Sequence, residues 1–217
     1  VEWLSTARGA HALQTGPSNQ FAFAPHVRES NAILQFTFDE VAGTLSPNPV
    51  APKVTPPPGT GPRHFCFHPT KDVVYFDNEQ GCSVTAYWLD PSSGTLKAFQ
   101  TVSTLPEDFC EENTCAQIHI ASSGSTLYAS NRGHDSIACF SIDEDTGELA
   151  LIEQQPTEEM PRAFNLTPGD EFLLVGSLVS GNLVCYRVDK QSGALSPMET
   201  YSIGKRPMWI LPLNLID

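Results

Sequence analysis

The chain has 217 residues, 40% of them hydrophobic and 17% charged, which is the composition of a globular protein rather than a disordered one. Its net charge of −13, from 12 basic and 25 acidic residues, argues against a nucleic-acid partner, because binding a phosphate backbone requires a basic surface. No run of 18 or more apolar residues is present, so no membrane helix is expected, and Val1-Glu2-Trp3-Leu4-Ser5 lacks the basic and apolar regions of a secretory leader.

In chain order, the predicted elements are short strands separated by turn signals, and no segment holds a helical period over 12 residues. A similar ending recurs in four units: Phe36-Thr37-Phe38-Asp39 with Gly43-Thr44-Leu45, Tyr87-Trp88-Leu89-Asp90 with Gly94-Thr95-Leu96, Phe140-Ser141-Ile142-Asp143 with Gly147-Glu148-Leu149, and Tyr186-Arg187-Val188-Asp189 with Gly193-Ala194-Leu195. The glycines repeat every 46 to 53 residues or so, a period found in propellers and solenoids. The units run from His11 to Pro49, from Arg63 to Val102, from Ala116 to Pro156 and from Pro161 to Tyr201. Each reads as four antiparallel strands, which is one propeller blade. Between them lie a Pro- and Thr-rich loop, Pro47 to Gly61, and an acidic loop, Leu105 to Thr114. Lys205 to Leu211 reads as the first strand of a fifth unit. The fold class is therefore all-β: a β-propeller with about four blades and one extra strand, a single domain over 1–217. Because stacked blades bury their faces best in a closed ring, further blades are expected N-terminal to Val1.

Cys66, Cys139 and Cys185 sit within apolar strand patterns, and Cys110 and Cys115 have no second pair at metal-ligand spacing. Free thiols and a reducing, cytoplasmic compartment follow as expectations. No metal site or cofactor is expected, since the histidines fall singly on different units.

Aligning the units on Phe23, Tyr75, Tyr128 and Leu174 shows where the pattern breaks. Four residues on stand Val27, Glu79, Arg132 and Leu178; twelve residues back stand His11, Arg63, Ala116 and Arg162. The first strand of a blade lines the central channel and the second is its hairpin neighbour, so these positions share one rim. The structural alternative is an inter-blade salt-bridge network of Glu79, Arg63 and Arg132. Yet two arginines against one carboxylate leave a surplus positive charge whose burial without an anion is costly, and this points to a ligand site.

Several motifs then acquire a family. Gly61-Pro62-Arg63-His64, Phe67-His68-Pro69, Asn78-Glu79, Ile118-His119-Ile120, Tyr128 to Asp135, Gln155-Pro156-Thr157 and Pro161 to Asn165 together resemble the lactonase family of seven-bladed β-propellers, in order from His11 to Trp209. The resemblance implies seven blades, about three of them outside this chain. It also implies hydrolysis of a small anionic sugar-phosphate lactone, 6-phospho-D-glucono-1,5-lactone foremost, without nucleic acid or membrane as partners. The whole protein is then expected to be a monomer or weak dimer. The family is also similar to a fungal cyclase acting on carboxy-cis,cis-muconate, so a cycloisomerase remains an alternative, as does a non-catalytic scaffold. Carried onto matching motifs, the cyclase's proposed catalytic set falls on His11, Arg63, Glu79 and Arg132, the same positions that break the repeat. Where the family usually has Ala-Asp-Ile-His, this chain has Ala116-Gln117-Ile118-His119, so a carboxylate is missing there.

In this reading Arg63 and Arg132 stabilise an oxyanion or clamp an anionic group, and either Glu79 or His11 serves as general base. His64, His119 and Arg162 are candidate substrate contacts. Strand alternation predicts that Arg63 and His64 point to opposite faces. His134 and Asp135 read as a turn that braces Arg132, and His68 as a strand end.

Overall fold

The computed structural model describes residues 4–214; Val1 to Trp3 of the segment read for a leader lie outside it. The described chain is all-β, with seventeen strands in four separate antiparallel sheets. Blade 1 contains β1 (Gln14–Thr15), β2 (Phe21–His26), β3 (Ala32–Asp39) and β4 (Thr44–Pro47), and β5 (Lys53–Val54) also pairs with β3. Blade 2 is β6 (Pro62–Phe67), β7 (Val73–Asn78), β8 (Ser83–Asp90) and β9 (Thr95–Ser103). Blade 3 is β10 (Thr114–Ile120), β11 (Thr126–Arg132), β12 (Ser136–Ile142) and β13 (Leu149–Pro156). Blade 4 is β14 (Pro161–Leu166), β15 (Phe172–Ser177), β16 (Asn182–Val188) and β17 (Leu195–Ser202). Strand order within blades 2 to 4 is the order of the sequence, so each is an up-and-down sheet.

The core lies between blades rather than within them. Alternating apolar residues of one sheet face those of the next: Phe23 and Ile33 meet Phe65 and Phe76, Tyr75 and Val84 meet Leu127 and Phe140, and Tyr128 and Ile137 meet Leu173 and Val175. All of these are buried.

The recurring Asp…Gly-x-Leu ending forms these seams. Asp39, Asp90, Asp143 and Asp189 each accept backbone N–H groups two and three residues on, closing the turn between the third and fourth strands. The following glycines stand at φ 68 to 79°, the left-handed region where a Cβ is disfavoured. Tyr75 Oη then donates to the carbonyl of Gly147 at 2.8 Å, and Tyr128 Oη to that of Gly193 at 3.0 Å, each reaching the turn of the next blade. The leucine amide of the motif is bound from the preceding blade too: Leu96 N–H by Gln35, Leu149 N–H by Gln100 and Leu195 N–H by Glu153.

Two expectations need correction. Lys205 to Leu211 is not a strand; it runs as irregular chain, with Asn165 Nδ2 donating to the Ile210 carbonyl at 3.2 Å and Pro207 lying against Gly176. Among the described residues no neighbouring strand is present to pair with it. The Pro-rich loop, in turn, carries β5, because Lys53 and Val54 reach the free edge of β3 beyond the short β4. All six cysteines are free thiols, and no helix is long and apolar enough to cross a membrane.

Candidate active site

Three of the four inner hairpins carry a β-bulge where the chain reaches the rim. In blade 2, Pro62 pairs with Asn78 and Phe65 with Phe76, so Arg63 and His64 together face Asp77. In blade 3, Ala116 and Gln117 face Ser130 between the pairs Cys115–Asn131 and Ile118–Ala129. In blade 4, the extra residue is Arg162. A bulge interrupts alternation and re-aims a side chain. This overturns the expectation that Arg63 and His64 point to opposite faces: Arg63 Nη1 lies 2.9 Å from His64 Nδ1, and both nitrogens converge on the carbonyl of Ala116.

Gly61 sets up the approach. Its φ is 62°, its carbonyl accepts Glu79 N–H at 2.7 Å, and a Cβ there would strike the Gln80 side chain. Glu79, just beyond β7, is thereby held against the start of β6. Its Oε2 accepts from Arg63 Nε at 2.8 Å and its Oε1 lies 3.7 Å from Arg132 Nη2. Arg63 is only 1% exposed and needs a counter-charge, which Glu79 supplies in direct contact and the buried Asp77 from behind. Arg132 Nη2 also donates to the Cys115 carbonyl at 2.8 Å. Beyond it, Asp135 Oδ1 accepts from Gly133 and Met160 N–H, and His134 Nδ1 meets Ser136 Oγ at 2.7 Å, so this turn does brace the arginine.

His11 and His64 stand edge to face, with His11 Nδ1 3.2 Å from His64 Nε2. His64 Nδ1 lies between an acceptor, the Ala116 carbonyl at 2.8 Å, and a donor, Arg63 Nη1 at 2.9 Å. With the proton on His64 Nδ1, His64 Nε2 accepts from His11 Nδ1–H and the lone pair of His11 is on Nε2; with the proton on His64 Nε2 the direction reverses. Burial, and secondarily Arg63, pulls His11 down to about 4 and His64 to about 3, so both are neutral at pH 7.

These residues border a cavity of about 410 Å³ lined by Arg8, His11, Arg28, Arg63, Arg132 and Arg162, with Glu29 and Glu79 as its acids. The structure thus brings together His11, Arg63, Glu79, Arg132 and Arg162. It does not bring His64 to the wall, where it stands behind His11. His119 is not there either: it lies edge-on to Phe164, and Gln117 Nε2 donates to its Nε2 at 3.0 Å. Burial lowers His119 to about 4. His68 is a buried brace whose Nδ1 accepts from Thr70 and Lys71 N–H. Among the described residues no group of three or more His, Cys, Asp or Glu is placed to hold a metal ion.

Sequence reasoning missed three residues. Arg8 and Arg28 lie in a loop and a turn, outside the aligned strands. Arg28 takes φ 57° with its N–H bound by Gln80 Oε1 at 2.9 Å, and no repeat position singles it out. Asp77 had a visible signal: a carboxylate two residues past the alignment reference, where the other units have Pro25, Ser130 and Gly176.

The family profile described as Lactonase, 7-bladed beta-propeller, matches residues 5–212. A 6-phosphogluconolactonase of Pectobacterium carotovorum subsp. carotovorum is 36% identical over 99% of this chain and 64% of its own length. One from Yersinia enterocolitica is 35% identical over 97% of this chain and 62% of its own. Among solved structures, a protein from Lactobacillus plantarum superposes with a TM-score of 0.86 at 28% identity, covering 92% of this chain and 57% of that one. The periplasmic gluconolactonase of Pseudomonas aeruginosa gives 0.84 at 28% identity, over 91% and 55%. The chain therefore spans a little under two thirds of the length of these curated relatives.

Proposed function

The chain belongs to the lactonase family of seven-bladed β-propellers, and on that premise we propose that its pocket hydrolyses a sugar-phosphate lactone, 6-phospho-D-glucono-1,5-lactone, to 6-phosphogluconate. The observation that carries this reading is a concentration of charge. Five arginines line one cavity in a protein with only 12 basic residues and a net charge of −13. Such a pocket attracts a small anion that the rest of the surface repels.

The chemistry follows from the hydrogen bonds. Glu79 Oε2 is committed to Arg63 Nε, which weakens its case as a base and makes it the group that orients the guanidiniums. With His64 protonated on Nδ1, His11 presents a free Nε2 to the cavity. Water attacks the lactone carbonyl carbon while His11 Nε2 takes its proton. Arg63 and Arg132 stabilise the charge that develops on the carbonyl oxygen; one such donor is typically worth about 2.7–4 kcal/mol. As the intermediate collapses, the ring C–O bond breaks and the departing oxygen takes the proton from His11, leaving a hydroxyl and a carboxylic acid that ionises to the carboxylate and releases one proton to water. Arg8, Arg28 and Arg162, which line the same cavity, are suited to a phosphate. No cofactor enters these steps. The continuous blade seams suit one propeller domain over 1–217, and six free thiols suit a reducing compartment such as the cytoplasm.

The test is hydrolysis of freshly made 6-phosphogluconolactone, followed by acid release in a pH-stat, with Arg132→Ala as comparison. Catalysis above the spontaneous rate that falls at least tenfold in the variant supports the reading. Equal rates with and without protein sink it.

A further inference from the structure

In blade 3, the bulge amide of Gln117 is capped by a neutral hydroxyl: its N–H donates to Ser130 Oγ at 3.1 Å. In blade 2, the equivalent amide, His64 N–H, is capped by a carboxylate, Asp77 Oδ1, at 2.6 Å. Serine therefore suffices to hold this bulge, and the charge at Asp77 needs another reason. Asp77 is fully buried, and its Oδ2 has no hydrogen-bond partner. The charged and titratable groups around it are Arg63, His64 and the Cys66 thiol from β6, Glu79 beyond β7, Cys115 from β10 and Arg132 from β11; from β8 it is paired with apolar Val84. Burial raises the two thiols well above their ordinary value, which keeps them neutral.

We propose that Asp77 is a positioning residue of the anion pocket. It caps the bulge that turns Arg63 and His64 to the same side, and it holds a buried negative charge behind Arg63 and Arg132 that sets how strongly those guanidiniums grip an anion. The role rests on the reading of this cavity as an anion site.

The charge is switchable within a workable range. Burial lifts the Asp77 carboxyl to about 6, against the opposing pull of Arg63 and of the His64 amide. Above that pH it is an anion that partly neutralises the arginines; below it, the carboxyl is neutral and the pocket gains one net positive charge. His11 and His64 titrate lower, at about 4 and 3, and do not supply a step there.

Sulfate is the suitable probe, because its charge is constant from pH 5 to 8, and calorimetry needs no turnover. For the wild-type chain, sulfate affinity is expected to rise about threefold or more between pH 7.5 and 5. Asp77→Ser, which copies the cap of blade 3, and Asp77→Asn, which keeps the size, are expected to bind tightly already at pH 7.5 and to show no step. Variants that fold yet retain the wild-type step and affinity overturn the proposal. If neither variant folds, the wild-type step decides, and its absence overturns the proposal. Folded wild-type protein that binds no sulfate at any pH removes the anion-pocket reading itself.

Discussion

Arg63 Nε and Glu79 Oε2 lie 2.8 Å apart with both residues buried, joining the start of one strand to the end of its hairpin partner. The same carboxylate reaches toward Arg132 in the next blade, so one acid organises two guanidiniums. Replacing it without changing its shape, Glu79→Gln, leaves both arginines short of a counter-charge. Turnover of the lactone is expected to fall at least tenfold. Urea unfolding should show a loss of about 3–5 kcal/mol, the usual cost of breaking a buried pair from one side.

His11 is expected to set the acid limb of the rate profile. A base must be unprotonated, and burial together with Arg63 holds His11 at about 4. At saturating substrate, catalysed hydrolysis should therefore rise between roughly pH 3 and 5 and level off above, measured against the spontaneous reaction. His11→Asn should lower kcat by about 10²–10⁴. His64→Asn, at a residue that stands behind His11 and off the cavity wall, should cost less.

Acid should also loosen the fold. His11, His64 and His119 stay neutral in the folded state down to about 4, 3 and 4, while an unfolded histidine protonates near 6.5. Between those limits the unfolded chain binds more protons, so stability falls as pH drops from about 6.5 to 4. The melting temperature should decline over that window, opposed in part by Asp77, whose raised value has the opposite sign. His119→Gln, which removes one of the three away from the cavity, should flatten the decline.

The seams give a prediction independent of chemistry. Tyr75→Phe removes the donor to the Gly147 carbonyl and should cost about 1–3 kcal/mol of stability with little change in turnover. An equal loss of activity would tie the seam to the pocket.

Most of the architecture was legible because a repeat exposes its own exceptions. Glu79 and Arg132 stand where Val27 and Leu178 show the unmarked state, and the cavity contains both charged residues. Alternation failed at His64 because a bulge adds one residue to β6, a change of register that no pattern of apolar residues announces. The strand expected after Lys205 failed because a strand requires a partner as well as a propensity. Arg8 and Arg28 were unreadable since irregular segments have no periodicity to violate. Asp77 was readable in principle: the repeat contained its contrast with Ser130, but only the hydrogen bonds at the two bulges give that contrast a meaning.

The Asp…Gly-x-Leu turn has one more consequence. At the seams between neighbouring modules, one supplies a socket, the turn carbonyl and leucine amide, and the one before it a plug, a tyrosine hydroxyl, a glutamine carboxamide or the Glu153 carboxylate. A segment of gene copied in tandem thus arrives already able to dock with its own original. Lineages can lengthen such an assembly by duplication alone, and novelty is then needed only at the few rim positions where the copies diverge.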